Sequence, residues 1–266
     1  MSRAKRVLLV KQESPIVCTI GTTDPTGAAG IGLDLKLFTT LGVRGVFAVA
    51  GVSAQNSERV LRVDSLPPVS IAAQLRAIWQ QAKPDAIRIG LLPAADGIAT
   101  VAKFLRALRK RPPVIIDPVL AATSGRKFSG PLEIAALKRL FTLCELVTPN
   151  AREAAKLAGV RVRTVAEAAE AASAIARDAG CAVLVKGGHL TGRICYDVLA
   201  DAGGVVYIGT RRSARSMRGT GCLLAAAIAA ERARGTPLHE ALGNARDIVA
   251  AALRESKPLG SGSPQF

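Results

Sequence analysis

Apolar residues run without interruption through short segments at 16–20, 46–52, 86–90, 114–117, 145–148 and 182–186. Between them, Ala- and Leu-rich stretches at 30–42, 70–82, 94–110, 131–141, 151–158 and 165–179 carry apolar positions at helical spacing. A strand that is apolar at consecutive positions is buried on both faces, and strands joined by helices pair in parallel. The pattern predicts an α/β protein with a mainly parallel central sheet and helices on both faces. It changes after residue 190, where 194–200 and 205–208 flank Asp201-Ala202-Gly203-Gly204, an antiparallel hairpin at one sheet edge. Two helices follow. One runs from near Gly221 to Gly235, and the next starts at Thr236-Pro237, an N-cap followed by Pro at the first helical position. No linker or repeat interrupts the chain, so one domain is expected over 1–266, with a short flexible N-terminus and a flexible tail at Gly260–Phe266.

With 266 residues and 49% hydrophobic content the chain can bury a sizeable core. The net charge of +16 directs attention to anionic partners. Yet 25 of the 36 basic residues are Arg scattered over the whole length, densest at Arg106–Arg111 and Arg211–Arg218, and aromatic residues make up only 3%. Stacking on bases needs aromatic rings, and no zinc-finger or RNA-recognition spacing is present. The charge is read as solvated helix faces and attraction for polyphosphate, with no nucleic-acid partner. Five cysteines at 18, 144, 181, 195 and 222, an odd number without Cys-x-x-Cys, fit a reducing compartment. The apolar run Val7–Val10 ends at Lys11, too short for a signal peptide, and no stretch approaches the roughly 20 apolar residues of a membrane span. A soluble cytoplasmic protein is expected.

In a parallel α/β sheet ligands sit outside the carboxyl ends of the strands, and the residues there are rich in chemistry. Arg218-Gly219-Thr220-Gly221-Cys222 precedes an apolar helix, where converging N–H groups and the helix dipole can form an anion hole; a plain capped turn has the same look. Lys186-Gly187-Gly188-His189 follows a strand, placing a cation where it can reach a phosphate, or simply a strand-end turn; His189 is as readily structural as catalytic. Asn150 and Glu153 share one helix face and suit Mg²⁺ directly or through water, while capping by Asn150 explains the same spacing. Asp117 closes a buried strand, where an unpaired carboxylate is costly. Gly21 to Lys36 is Gly-rich and holds Asp24 and Asp34; Ser53-Ala54-Gln55-Asn56 reads as a polar loop whose amides can meet a heterocycle. There is no P-loop motif, no G-x-G-x-x-G after the first strand and no protein-kinase signature.

Taken in order, Asp24-Pro-Thr-Gly-Ala-Ala-Gly30-Ile-x-x-Asp34-Leu-Lys36, Ala54-Gln55-Asn56, Ile89-Gly90-Leu91-Leu92, Asp117-Pro118-Val119, Thr148-Pro149-Asn150-x-x-Glu153, Val185-Lys186-Gly187-Gly188-His189 and Gly219-Thr-Gly-Cys222 resemble the hydroxymethylpyrimidine and phosphomethylpyrimidine kinases, over about residues 16–255. The resemblance implies a ribokinase-like fold, ATP with Mg²⁺, and a homodimer. It implies that Asp34 and Gln55 hold an aminopyrimidine in a pocket lined by Gly21 and Leu91. Asn150 and Glu153 would organise Mg²⁺-ATP with Asp117 nearby, Lys186 and Thr220 would meet its phosphates, and Gly219, Thr220, Gly221 and Cys222 would form the anion hole. A thiol at a helix N-terminus can have a lowered pKa and serve as base, whereas a phosphate-monoester acceptor is already ionised and needs none.

Three departures from the family pattern stand out, at four positions: Arg218 for its usual His, Gly32-Leu33 for Gln and a small residue, and Leu91 for Met. Arg218 is expected to strengthen anion binding. The reading is phosphorylation of 4-amino-5-hydroxymethyl-2-methylpyrimidine phosphate, and of the free alcohol, in thiamine diphosphate synthesis. Two alternatives stand beside it: a pyridoxal kinase of the same superfamily, and a non-catalytic paralogue that binds a pyrimidine or nucleotide.

Overall fold

The computed structural model describes residues 14–122, 125–190, 192–260 and 262–266. The N-terminal stretch expected to be flexible, with its apolar run Val7–Val10, lies outside them. The elements follow in the order β1 (Ile16–Thr23), α1 (Gly30–Thr40), β2 (Arg44–Gln55), β3 (Val60–Ser65), α2 (Pro68–Gln81), β4 (Ala86–Ile89), α3 (Ala95–Ala107), β5 (Val114–Ile116), α4 (Pro131–Phe141), β6 (Leu146–Val147), α5 (Ala151–Ala158), α6 (Val165–Ala179), β7 (Ala182–Val185), β8 (Ile194–Asp201), β9 (Gly204–Arg211), α7 (Thr220–Ala233) and α8 (Leu238–Glu255).

Nine strands form one sheet in the order β3-β2-β1-β4-β5-β6-β7-β8-β9. The six from β2 to β7 are parallel, and β3, β8 and β9 run antiparallel to their neighbours. Strand order reverses between β1 and β4, the switch point at which a crevice opens in sheets of this kind. One face is packed by α2 to α6 through residues such as Leu75, Val101, Leu137 and Ala168. The other is packed by α1, α7 and α8 through Leu33, Leu223, Ile228 and Leu242. In α7 every residue from Leu223 to Ala230 is buried; its many alanines let the helix lie close against the sheet, and a fully buried Leu or Ile contributes about 1.5–3 kcal/mol. Among the described residues no helix is long and apolar enough to cross a membrane.

Every predicted strand and helix is present, and three local readings are corrected. Ser53–Gln55 is the end of β2 rather than loop, paired with the unpredicted β3. This edge strand is largely solvent-exposed, so Val-Leu-Arg-Val-Asp-Ser shows no buried alternation to detect. Thr236 does not cap α8: the N-cap is Pro237, and the Thr236 hydroxyl instead donates to Glu231 Oε2 at 3.3 Å. The segment expected to be a flexible tail folds back, pairing β10 (Lys257–Pro258) with β11 (Pro264–Gln265). The Arg218 N–H donates to Pro264 O at 3.0 Å and Phe266 packs against the α1/α7/α8 core.

The turn after β7 shows how tightly the strands constrain this chain. A Cβ on Gly187 would lie 1.8 Å from Tyr196 O on β8, so only glycine fits there. The Gly187 N–H donates to Asp197 Oδ1 at 2.7 Å, and Asp197 is paired with Arg246 of α8. Gly187→Ala is expected to destabilise the fold by about 2–4 kcal/mol, read as a fall in urea midpoint, while Gly188→Ala, which meets nothing within 4 Å, leaves the midpoint near wild type.

Candidate active site

The carboxyl ends of β1, β2, β4, β5, β6 and β7 share one sheet edge, and the predicted site residues lie along it. Gly21 and Leu91 meet across the switch point: a Cβ on Gly21 would touch Gly90 Cα at 3.6 Å and Leu91 O at 3.7 Å, and Thr22 Oγ1 donates to Leu91 O at 2.9 Å. Gln55 ends β2 beside the β2–β3 turn, three residues beyond Val52, the register partner of Thr23. It therefore lies at the carboxyl end of the strand next to β1, on the side away from β4.

At the centre stands Asp117, just past β5. Its Oδ1 accepts from Lys186 Nζ at 2.6 Å, its Oδ2 accepts from the Cys222 thiol at 3.4 Å, and Arg88 Nη2 lies 3.8 Å from Oδ2. Arg88 continues the row to Asp34, with Nη1 3.3 Å from Asp34 Oδ2, which also accepts from Thr19 Oγ1 at 2.5 Å. Asp34, Arg88, Asp117 and Lys186 thus alternate in charge from the floor of the crevice to the N-terminus of α7. The Lys186 ammonium would be 3.0 Å from a Cβ on Gly221, so it lies directly against that helix end.

Burial raises the pKa of Asp117, but Lys186 and Arg88 outweigh it and hold the carboxyl below its ordinary range. Burial opposes the charge on Lys186, yet Asp117 and Glu153 keep its pKa above the ordinary value. At Asp34 burial dominates and pushes the pKa up despite Arg88 and Thr19. The expectation that Cys222 has a lowered pKa is overturned. Burial, reinforced by the Asp117 charge, pushes the thiol up to about 12, so it is a hydrogen-bond donor and no base at neutral pH.

Asn150 and Glu153 come together, in the capping arrangement that the spacing also allowed. Asn150 Oδ1 accepts from the Arg152 and Glu153 N–H groups at 2.9 and 3.0 Å; Glu153 Oε2 accepts from Asn150 N at 2.8 Å and Oε1 from Leu120 N at 3.4 Å. Asn150 also forms a bridge with Lys186, whose N–H donates to Pro149 O at 2.8 Å. Burial, with Asp117 nearby, raises Glu153 to about 7. Asp117 and Glu153 offer hard carboxylate oxygens beside Lys186, a donor set that suits Mg²⁺ retaining much of its water. Among the described residues no three acidic, His or Cys side chains converge as a complete ligand cage.

Gly219 begins α7 as its N-cap at φ 81°, and a Cβ there would sit 2.0 Å from Ala28 O. The Gly-rich loop 24–30 therefore closes directly on the first turn of α7, whose leading N–H groups have no partner within the helix. Arg218 does not point a free charge at an anion, as expected from sequence; its guanidinium faces Asp24, with Nη2 3.3 Å from Oδ2. The structure seals Asp34 beneath the crevice, fully buried, rather than placing it on the wall. The His189 side chain lies outside the described part of the structure. Sequence reading missed Arg88 altogether, although a cation in the middle of the apolar strand Ala86-Ile87-Arg88-Ile89 was the signal, because such a charge must be paired when buried.

This architecture matches known proteins closely. The family model described as phosphomethylpyrimidine kinase matches residues 24–265. The chain belongs to the phosphomethylpyrimidine kinase family. It is 39% identical over 250 residues to the hydroxymethylpyrimidine/phosphomethylpyrimidine kinase of Rhizobium meliloti, covering 93% of each chain. It is 36% identical over 261 residues to the thiamine biosynthesis bifunctional protein ThiED of Geobacter sulfurreducens, covering 96% of this chain but only 53% of that protein, so it spans about half of that relative. Among solved structures, an ADP complex of Bacillus subtilis pyridoxal kinase superposes with a TM-score of 0.83 at 32% identity, covering 95% of this chain and 96% of that one.

Removing one partner from a buried ion row leaves uncompensated charge. Arg88→Met is expected to destabilise this family member by about 3–5 kcal/mol, and adding Asp34→Asn to recover part of that loss, both read from chemical denaturation. Equal midpoints for wild type and Arg88→Met would show that the row is not a structural requirement.

Proposed function

We propose that the chain transfers the γ-phosphoryl group of ATP to 4-amino-5-hydroxymethyl-2-methylpyrimidine phosphate, forming the diphosphate for thiamine diphosphate synthesis, with the free alcohol as a second acceptor. The observation that carries this reading is the Lys186–Asp117 pair lying against the Gly219–Cys222 helix start. The names of the relatives support it, and the ADP complex of the pyridoxal kinase supports nucleotide binding.

In this reading the acceptor ring lies in the crevice between Gly21, Gln55 and Leu91. Asp34 acts from beneath as the counter-ion of Arg88 rather than by touching the ring. An acceptor phosphate oxygen attacks the γ-phosphorus; its new P–O bond forms as the bond to the ADP oxygen breaks. Charge on the transferring group is met by the N–H groups of Gly219 to Cys222 and by Lys186 Nζ. Asp117 holds Lys186 protonated and in place. Asp117 and Glu153 would hold Mg²⁺ through water, and that ion supplies charge neutralisation between the phosphates. A monophosphate acceptor has no proton to surrender at its attacking oxygen, which agrees with a Cys222 thiol that already carries its own proton and is not free to take another. A homodimer and a cytoplasmic location belong to the same reading; Phe47 and Val52 on β2 and Leu61 on β3 are half-exposed and would be covered in part by a second copy.

Pyridoxal is the second acceptor to consider, because the fold superposes on a pyridoxal kinase. ADP release from Mg²⁺-ATP, measured with the pyrimidine alcohol, its monophosphate and pyridoxal in parallel, is expected to be fastest with the monophosphate. Preference for pyridoxal would transfer the assignment, and tight ligand binding without turnover would make the chain a binding paralogue. Gln55→Ala is expected to raise KM for the pyrimidine by about tenfold, the loss of one or two polar contacts, while leaving KM for ATP unchanged. Cys222→Ala is expected to change kcat with the monophosphate by less than about threefold, since a thiol donor contributes only a weak hydrogen bond.

A further inference from the structure

Arg218 joins three parts of the chain that are remote in sequence. Its Nη2 lies 3.3 Å from Asp24 Oδ2 and its Nη1 3.5 Å from Thr26 Oγ1, both on the loop leading to α1. Its main-chain N–H donates to Pro264 O, and its own carboxyl neighbour is Gly219, the first residue of the anion hole. The Asp24 side chain is fully buried. Its Oδ1 is committed to the loop itself, accepting from Thr26 N at 2.9 Å and Thr26 Oγ1 at 2.8 Å. Its Oδ2 has no hydrogen-bond partner, and Arg218 is the cation beside it. A buried carboxylate is tolerated only next to such a charge. The loop it anchors carries Ala28, whose carbonyl oxygen leaves no room for a side chain on Gly219.

We propose that Arg218 is a positioning residue for phosphoryl transfer: by pairing with Asp24 it latches the loop 24–30 onto the first turn of α7 and holds the anion hole in its working shape before substrate arrives. The inference rests on the reading of Gly219–Cys222 as the anion hole. The latch acts through geometry, since the guanidinium is turned to Asp24 and not to the crevice. Lys36 adds a second tie, with Nζ donating to Gly27 O at 3.3 Å, so the loop is held from both sides. An Arg keeps its charge at every physiological pH and can face Asp24 and Thr26 together through separate nitrogens.

The test uses Asp24→Asn, which keeps the shape and the Oδ1 contacts but removes the charge, together with Arg218→Met, Arg218→Lys and the Asp24→Asn/Arg218→Met double variant. Loss of the latch is expected to lower kcat about 10- to 100-fold, the scale of a misplaced anion hole, with KM for ATP unchanged. Lys is expected to restore most of the loss, and the double variant to be no worse than either single one. Amide hydrogen exchange over 24–30, which needs no turnover, is expected to quicken in Asp24→Asn and Arg218→Met alike. Unchanged exchange in Asp24→Asn, or additive losses of kcat in the double variant, would overturn the latch. Failure of the wild type to phosphorylate any acceptor would instead count against the proposed function, and faster exchange would still uphold the loop contact.

Discussion

A carboxylate at the end of a buried strand has to be neutralised, and in this protein that requirement organises the whole carboxyl edge of the sheet. Asp117 is held by Lys186 from the neighbouring side and by Arg88 from below, and Arg88 in turn is held by Asp34 on α1. The row therefore connects α1, β4, β5 and the end of β7. It also fixes where the Lys186 ammonium lies, against Gly221 at the start of α7. Two positive and two negative groups compensate one another inside the protein, so no buried charge in the row is left unpaired.

Close backbone approach is the second constraint, and glycine meets it. Gly187 lets the turn after β7 press on β8, and Gly219 lets the loop 24–30 rest on α7. Both contacts are backbone against backbone, where neither side can yield. The Ala-rich α7 works to the same end, lying deep enough for its N-terminus to reach the strand ends. Charge row and glycine contacts converge on one point: a helix start whose first N–H groups have no partner within the helix, flanked by the Lys186 ammonium.

Much of this was legible one residue at a time. Gly-Thr-Gly before an apolar helix, Lys at a strand end and Asp117 closing another strand are local signals, and the structure brings all three together. Other residues misled. The helix start at Cys222 promised an acidic thiol, but burial beside Asp117 reverses the shift. Arg218 promised a free cation, but a buried carboxylate 194 positions earlier claims it. Asp34 looked like a pocket residue and is a counter-ion. In each case the deciding neighbour lies far away in the chain, and a side chain's protonation and direction depend on that neighbour.

From the order of its residues alone the chain specifies its layers, because continuous apolar strands and 3.6-period helices allow few arrangements other than a covered parallel sheet. The carboxyl edge as the expected place of chemistry follows from that topology, and the family resemblance is carried by motifs in sequence order. Contacts between distant segments decide the rest: the edge strand β3, the pairing of Lys257–Pro258 with Pro264–Gln265, the pairing of Arg88 with Asp34 and the latch at Arg218. The reason is physical. Hydrophobic periodicity is a local property and is written in consecutive residues, whereas the partner of a buried charge, and the room beside a glycine, exist only once the helices have packed against the sheet.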